Sequence, residues 1–425
     1  LILAVLSDYI YFRNRIYPGV YIKNIDLGGK SYGEAAAALA SAQITFKGPA
    51  SEEAFSVTLK EMGIFLDEEQ IMSMAFSQGR QSCWPRSYCD RQKIKKERVF
   101  LPFSYRLDQK IFSQGISSLK EIFSRSPRDA YFKVTGDYKR VEVITEKIGY
   151  SLKEEELKAR LLQNLAQPHT PLTIIVPCEE IFPAVTASAL QEKDIEALMS
   201  TFTTSFDQMK VNRVHNIKLA AGILDGCIMA PGDVLSLNEL FGDTTPEKGY
   251  KEAPIIVGGE MVPGFGGGLC QISSTLYNAA LLADLEVLER HHHELTVPYL
   301  PPGRDATLAY GARDLKICNN KEHHILIKVA VEKDKLTFWL YGLPLEERVV
   351  IKTKQIAVYA PPIKYEYDPD LLPGEEEIIA GYPGYTVEVW KLVYQGGRLV
   401  REEKISVDSY FPYPALVKQG RADGA

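Results

Sequence analysis

The six cysteines of this 425-residue chain, Cys83, Cys89, Cys178, Cys227, Cys270 and Cys318, include no CxxC pair. A zinc ribbon needs such pairs, so that class is excluded. No apolar run reaches the roughly 20 residues that a bilayer-spanning helix needs. Positive charge is not in surplus either: 49 Lys and Arg stand against 55 Asp and Glu, for a net charge of -6. A nucleic-acid partner calls for a basic face, so this balance argues against one. The single run of glycines lacks the strand–GxGxxG–helix context with a later acidic partner, and no nucleotide, flavin or haem cofactor is implied. What is present is ordinary globular composition, 45% hydrophobic and 24% charged, which excludes a disordered chain. At roughly 100–200 residues per domain, two to four domains are expected.

The chain opens on an apolar stretch, Leu1 to Phe12, closed by Arg13-Asn14-Arg15. A buried helix is one reading. The aromatic-then-basic edge of Tyr9, Tyr11, Phe12, Arg13 and Arg15 suits a membrane interface better, so residues 1–16 are expected to be a truncated N-terminal membrane anchor. The rest of the protein is then extracytoplasmic. In an exported protein Cys83 and Cys89 could close a small disulfide loop. The other cysteines read as single buried thiols.

Residues 17–185 contain an internal echo. Phe55 to Leu59 alternates like a half-buried strand, and Gly63 to Ile71 follows as a turn and a helix with acidic residues in its first turn. Val141 to Thr145 and Gly149 to Leu157 repeat that order. Acidic residues at a helix start complement its dipole. The stretch from Gln78 to Arg98, with Cys83, Trp84, Pro85 and Cys89, reads as a connector. Its basic run from Lys93 to Arg98 reads as a solvated loop, and Glu179 to Pro183 as a second connector. Near the C-terminus, Thr386 to Tyr394 alternates, Gly396-Gly397 makes a hairpin turn, and Arg398 to Val407 returns.

The segment 188–347 carries the chemistry. Gly266-Gly267-Gly268 lets backbone approach backbone or a ligand without a Cβ in the way. Cys270 then stands at the mouth of an alanine- and leucine-rich helix, where the partial positive charge of the helix start favours a thiolate. Gln271 is placed to cap the helix or to donate to a developing oxyanion. Downstream come His291-His292-His293; if extended, His291 and His293 share one face. Asp305 and Asp314 follow on what reads as the next strand, and either could orient a histidine from there. Cysteine attacking a carbonyl, histidine moving the proton and aspartate fixing the tautomer is the working order of many thiol enzymes. His291, His293 and Cys270 are also zinc-type ligands, but no spacing enforces a set, and no metal is assigned. Turn capping accounts equally well for the two aspartates.

Read together, Asn212-Arg213, Asn216-Ile217, Pro231-Gly232, Ser236, Asn238, Gly242, Gly249-Tyr250, Gly266 to Gln271, Ser274 to Asn278, Arg290, His293, Tyr299, Gly303, Asp305-Ala306 and Asp314 resemble the VanW domain signature. The region before it resembles a peptidoglycan-binding-like module. Pro373-Gly374, Gly381, Gly384, Gly396-Gly397 and Gly420 resemble the G-five domain, a small β module linked to cell-wall binding. The resemblance implies a cell-envelope setting with peptidoglycan or its stem peptides as partner. It selects His293, three residues after Arg290, from the histidine triplet.

The expected architecture is multidomain α+β: residues 17–185 as repeated α+β modules, 188–347 as a VanW domain with a Cys-bearing helix against a sheet, and 351–422 as a G-five-like β domain. The expected catalytic residues are Cys270, His293, and Asp305 or Asp314, with backbone amides of Gly268 to Gln271 as oxyanion donors. Gly266, Gly267, Gly268, Gln271, Ser274, Thr275 and Arg290 are expected to line a substrate. A non-catalytic wall-binding scaffold, with the Gly-Cys element as a rigid ligand loop, is the alternative function.

Overall fold

The computed structural model describes residues 2–49, 54–83, 86–257, 260–372 and 374–420. Leu1, Trp84, Pro85, Pro373 and residues 421–422, named or included above, lie outside them. Two compact units emerge: Leu1–Ala130 with Thr145–Thr186, and Tyr131–Ile144 with Ala187–Ala425.

The first unit is built from short strands and capped helices around two apolar cores. Gln43–Lys47 pairs antiparallel with Ala54–Thr58 and parallel with Thr173–Ile175. Ile64–Leu66 pairs antiparallel with Tyr105–Leu107, and each strand runs through an aspartate into a helix. Asp67 accepts the Gln70 amide at the head of Glu68–Ser77; Asp108 accepts those of Lys110 and Ile111 at the head of Gln109–Phe123. A side-chain acceptor at this position satisfies donors that the helix leaves free. This strand–Asp–helix pair is a closer structural repeat than the one read from the sequence, because Val141–Ile144 forms a hairpin with Tyr131–Val134 that belongs to the second unit.

Three local expectations are corrected. Residues Arg86–Glu97 of the connector form a helix. Only Ser87 and Arg91 of it are buried, so it carries no apolar periodicity to read. Cys83 and Cys89 are free, exposed thiols rather than a disulfide loop. The second connector contains the strand Cys178–Ile181, paired with Gly149–Leu152. At the N-terminus Ile2–Tyr11 is a 10-residue helix. Among the described residues no helix is long and apolar enough to cross a membrane.

In the second unit, β1 (Ala197–Ser205) precedes α1 (Val211–Leu224) and the two-residue β2 (Ile228–Met229). After α2 (Leu269–Leu282) come β3 (Ile325–Glu332) and β4 (Lys335–Gly342). The sheet order is β1-β4-β3-β2, all antiparallel. Helix α2 is buried on nearly every side: from Leu269 to Leu281 only Cys270 keeps partial exposure. A helix apolar or satisfied all round belongs at the centre of a core, and α2 lies among the core residues of α1 and the sheet. A three-stranded sheet of Val234–Ser236, Lys316–Cys318 and Glu286–Glu289 brackets the loop 290–315.

The C-terminal β domain begins with β5 (Glu347–Tyr359), followed by β6 (Gly384–Gln395) and β7 (Arg398–Tyr410), an antiparallel sheet in which β6 is central. Gly396 and Gly397 turn the β6–β7 hairpin with φ of 58° and 82°. Positive φ at both central residues is what the tight turn needs, and glycine reaches it without strain.

Candidate functional site

Cys270 occupies the first turn of α2. The residue before the helix, Gly268, has φ 116°, and a Cβ there would stand 2.9 Å from Ile217 Cγ1 and 3.2 Å from the Arg213 carbonyl oxygen. Gly267 is similarly pressed, with the Pro254 carbonyl 2.7 Å from where its Cβ would be. These glycines bring backbone against α1 and its neighbouring strand; they pack the turn rather than line a ligand. Gly266 does the same against Thr244. Fully buried Asn216 pins the turn, donating to the Lys251 carbonyl at 2.8 Å and the Gly267 carbonyl at 3.1 Å. Among the described residues no side chain caps α2, so its start keeps its positive end beside half-buried Cys270.

His293 and Asp305 come from the loop that follows, not from successive strands as expected; regular pairing stops at Glu289. Both are buried, to 4% and 1% exposure. Asp305 Oδ2 accepts the His293 backbone N–H at 2.7 Å and pairs with its Nδ1 at 2.6 Å. One carboxylate oxygen thus fixes both the backbone and the ring. The His293 ring and the Cys270 side chain lie close enough to act on each other's charge. The sulfur also receives the Leu308 amide at 3.5 Å and faces its carbonyl at 3.6 Å.

The charges follow from these contacts. Burial pushes the Cys270 thiol up, but the hydrogen bond and charge of His293, aided by the Leu308 amide, bring it below the ordinary thiol value. Burial lowers His293, yet its bonds to Asp305 and Cys270 carry it up to about 9. Asp305 is pushed up by burial and pulled down further by His293, Arg290 and Tyr410, to about 2. The arrangement favours a thiolate–imidazolium pair with a permanently ionised carboxylate behind it.

The remaining sequence candidates divide cleanly. Asp314 is not at His293: it accepts Ser236 Oγ at 2.5 Å and the Asn238 amide at 2.9 Å, tying down the short helix Leu237–Phe241. Gln271, Ser274 and Thr275 are fully buried and hold the frame. Gln271 donates to Thr204 and to the Ser205 carbonyl, both at 2.9 Å, and Thr275 meets Thr204 at 2.8 Å. Ser274 accepts the Ala306 amide at 2.9 Å, fastening the Asp305 loop to α2. Arg290 pairs with Asp305 and Asp408. His291 is exposed and pairs with Glu289, and His292 turns its Nδ1 to the His293 carbonyl at 2.7 Å. Among the described residues no three metal-type ligands gather. Of the expected oxyanion donors, the Leu269 and Gln271 amides already bond the Gly266 and Gly268 carbonyls at 3.1 and 3.0 Å. Those of Gly268 and Cys270 have no acceptor among the described residues.

Four residues were not singled out from the sequence. Tyr410 and Asp408 reach the site from β7. Tyr299 lies near Ser274, and its phenol is driven upward by burial and then by the charge of Cys270. Arg213 on α1 is lowered by burial while the Cys270 and Tyr299 charges act against that; it makes no ion pair or hydrogen bond among the described residues. Only Arg213 and Tyr299 carried a sequence signal, as members of the motif quoted above.

Comparison with known proteins agrees with this layout. The family model "VanW like protein" matches residues 212–341, "Putative peptidoglycan binding domain" matches 55–171, and "G5 domain" matches 347–422. These are domains of a protein associated with the cell wall. The chain is 34% identical over 242 residues to the uncharacterized protein YoaR of Bacillus subtilis (strain 168), covering 57% of this chain and 78% of that one. It is 30% identical over 149 residues to the vancomycin B-type resistance protein VanW of Enterococcus faecalis (strain ATCC 700802 / V583), covering 34% of this chain and 54% of that one. A solved IgA1 protease G5 domain is 20% identical, with 19% of this chain and 96% of that one covered and a TM-score of 0.14. With its matches to peptidoglycan-binding, VanW and G5 domains in that order, the chain belongs to the VanW family.

Proposed function

We propose that this protein performs acyl transfer on a peptide or amide bond of peptidoglycan stem peptides, with Cys270 as nucleophile, His293 as proton carrier and Asp305 as its orienter. The observation that carries the reading is the 2.6 Å Asp305–His293 pair, whose ring acts on the charge of Cys270 in the first turn of a helix. The Cys270 thiolate attacks the carbonyl carbon, forming a C–S bond and an oxyanion, which the Gly268 and Cys270 amides are free to receive. The C–N bond then breaks as His293 gives its proton to the leaving amine. Water or an acceptor amine attacks the thioester, His293 takes back a proton, and the thiolate is released. Arg213, without an acceptor among the described residues, supports a substrate that brings an anionic group close to the sulfur.

The domain matches around the site support a wall polymer as the place of action. The same reading tethers the protein to the outer face of the membrane through its N-terminal segment; Tyr9, Ile10 and Tyr11, exposed on the first helix, support it. Protection of the ectodomain from protease added to intact cells would count against that placement.

The test of function is product formation from purified stem peptides by the full chain, read by mass spectrometry with and without an acceptor amine. Cleaved or transferred peptide that disappears in Cys270→Ala is the expected result. Turnover that persists in Cys270→Ala, or no turnover by a folded protein that still binds peptidoglycan, favours the scaffold instead.

A further inference from the structure

We infer that the C-terminal β domain is a working part of the thiol site, with Tyr410 and Asp408 of β7 acting as positioning residues for Asp305 and Arg290. The inference rests on the roles proposed above for Cys270, His293 and Asp305.

Asp408 and Tyr410 are two apart on one strand and therefore share a face. Both are buried to 2% exposure, and that face meets the loop 290–305. Tyr410 Oη donates to Asp305 Oδ1 at 2.5 Å and accepts the Gly303 amide at 2.7 Å, so its hydroxyl is held at both ends. Asp305 Oδ2 is fully engaged by His293; Oδ1 depends on Tyr410, because its only other partner among the described residues, Arg290 Nη2, stands off at 3.5 Å. Arg290 is held there by two bonds, Nη1 to Asp408 at 2.7 Å and Nε to the Asp305 backbone carbonyl at 2.7 Å, and only the first draws the fork away from the Asp305 carboxylate. The Phe411 amide donates to the Glu294 carbonyl at 2.8 Å, one residue beyond His293. At Gly303 a Cβ would come 2.5 Å from Val389 of β6, so the contact is close along its length.

These contacts dictate what each side chain prevents. A guanidinium prefers to grip a carboxylate with two parallel bonds. Without Tyr410, Oδ1 is left to Arg290, and the carboxylate rotates toward it and away from Nδ1. Without Asp408, Arg290 has one buried carboxylate left and closes on Asp305, competing with His293 for its charge. Either change loosens the imidazole that holds the thiolate. A wall-binding module hung on a linker would leave this face solvated; here its strand completes the hydrogen bonding of a buried aspartate.

The experiment follows iodoacetamide alkylation of Cys270 against pH in the full chain, read on the Cys270 peptide by mass spectrometry because Cys83 and Cys89 are exposed thiols. Tyr410→Phe and Asp408→Asn are compared with wild type, with His293→Ala, and with Val407→Thr, whose side chain is exposed on the same strand. Both positioning variants are expected to move the thiolate limb upward by about one pH unit and to cut the rate at neutral pH about tenfold. Val407→Thr is expected to match wild type. Thermal unfolding checks the fold, and if Tyr410→Phe does not fold, Asp408→Asn is judged alone. Folded positioning variants that keep the wild-type limb while His293→Ala moves it overturn the inference and leave the proposed function standing. If His293→Ala also leaves the limb in place, both fall.

Discussion

Lys23 in the first unit and Asp305 in the second are both charged side chains with 1% exposure, and they differ in where their partners lead. Lys23 Nζ donates to the Asn164 and Gln167 carbonyls, at 2.7 and 2.8 Å, where the helix Glu154–Ala166 ends. It satisfies orphan carbonyls at a helix C-terminus, and the path stops there. Burial lowers its pKa to about 8, with no counter-charge among the described residues to restore it. Asp305 instead stands in a line of alternating charge, from Asp408 and Arg290 on one side to His293 and Cys270 on the other. That line ends on Cys270, a residue that keeps partial exposure. A buried charge marks a frame; a buried charge connected to an accessible nucleophile marks a place for chemistry.

Substitutions sharpen the contrast. Asp305→Asn is expected to lower turnover of a stem peptide by a factor on the order of 10⁴, the loss seen when a triad aspartate gives the wrong tautomer. Steady-state kinetics measures it. The pH profile of acylation should be bell-shaped. It rises as Cys270 ionises below the ordinary thiol range and falls as His293 loses its proton near 9. A stability signature accompanies it. The His293 contribution, from a pKa raised above its unfolded 6.5, is fully present below that value and lost as pH rises through about 9. The Asp305 contribution is present above 3.8 and lost as pH falls toward about 2. Thermal unfolding across pH reads both.

The next variants should affect the frame alone. Asp314→Asn leaves one acceptor oxygen where two carboxylate oxygens held Ser236 Oγ and the Asn238 amide, and is expected to cost about 1 kcal/mol of stability while turnover per folded molecule holds. Lys23→Met should cost about as much, since two carbonyls lose a donor while a desolvated ammonium is relieved. It should leave Cys270 alkylation unchanged. A lysine variant that altered the thiol would break the contrast drawn here.

Much of the site was readable because its parts are local. Three glycines before Cys270 announce a tight turn into a helix, and the VanW-like pattern selected His293. What failed was geometry that no local pattern encodes. Loop 290–315 was read as strands, yet it satisfies its backbone through Asp305 and Ser274 rather than a ladder. Asp305 and Asp314 could not be ranked, since both sit in turn-forming surroundings. Tyr410 lies 105 residues from Asp305 and Asp408 lies 118 from Arg290, so nothing near the site names them. In the first unit, the helix Arg86–Glu97 was missed because it buries Ser87 and Arg91 rather than an apolar stripe.

The account stands on a covalent acyl-enzyme at Cys270, and intact-mass spectrometry of the full chain, quenched in acid during turnover of a purified stem peptide, tests it most directly. The predicted result is a mass gain equal to the acyl part of the substrate, mapped to the Cys270 peptide, absent in Cys270→Ala and slowed in His293→Ala. Substrate conversion with no adduct at any quench time, or an adduct on another residue, would contradict it.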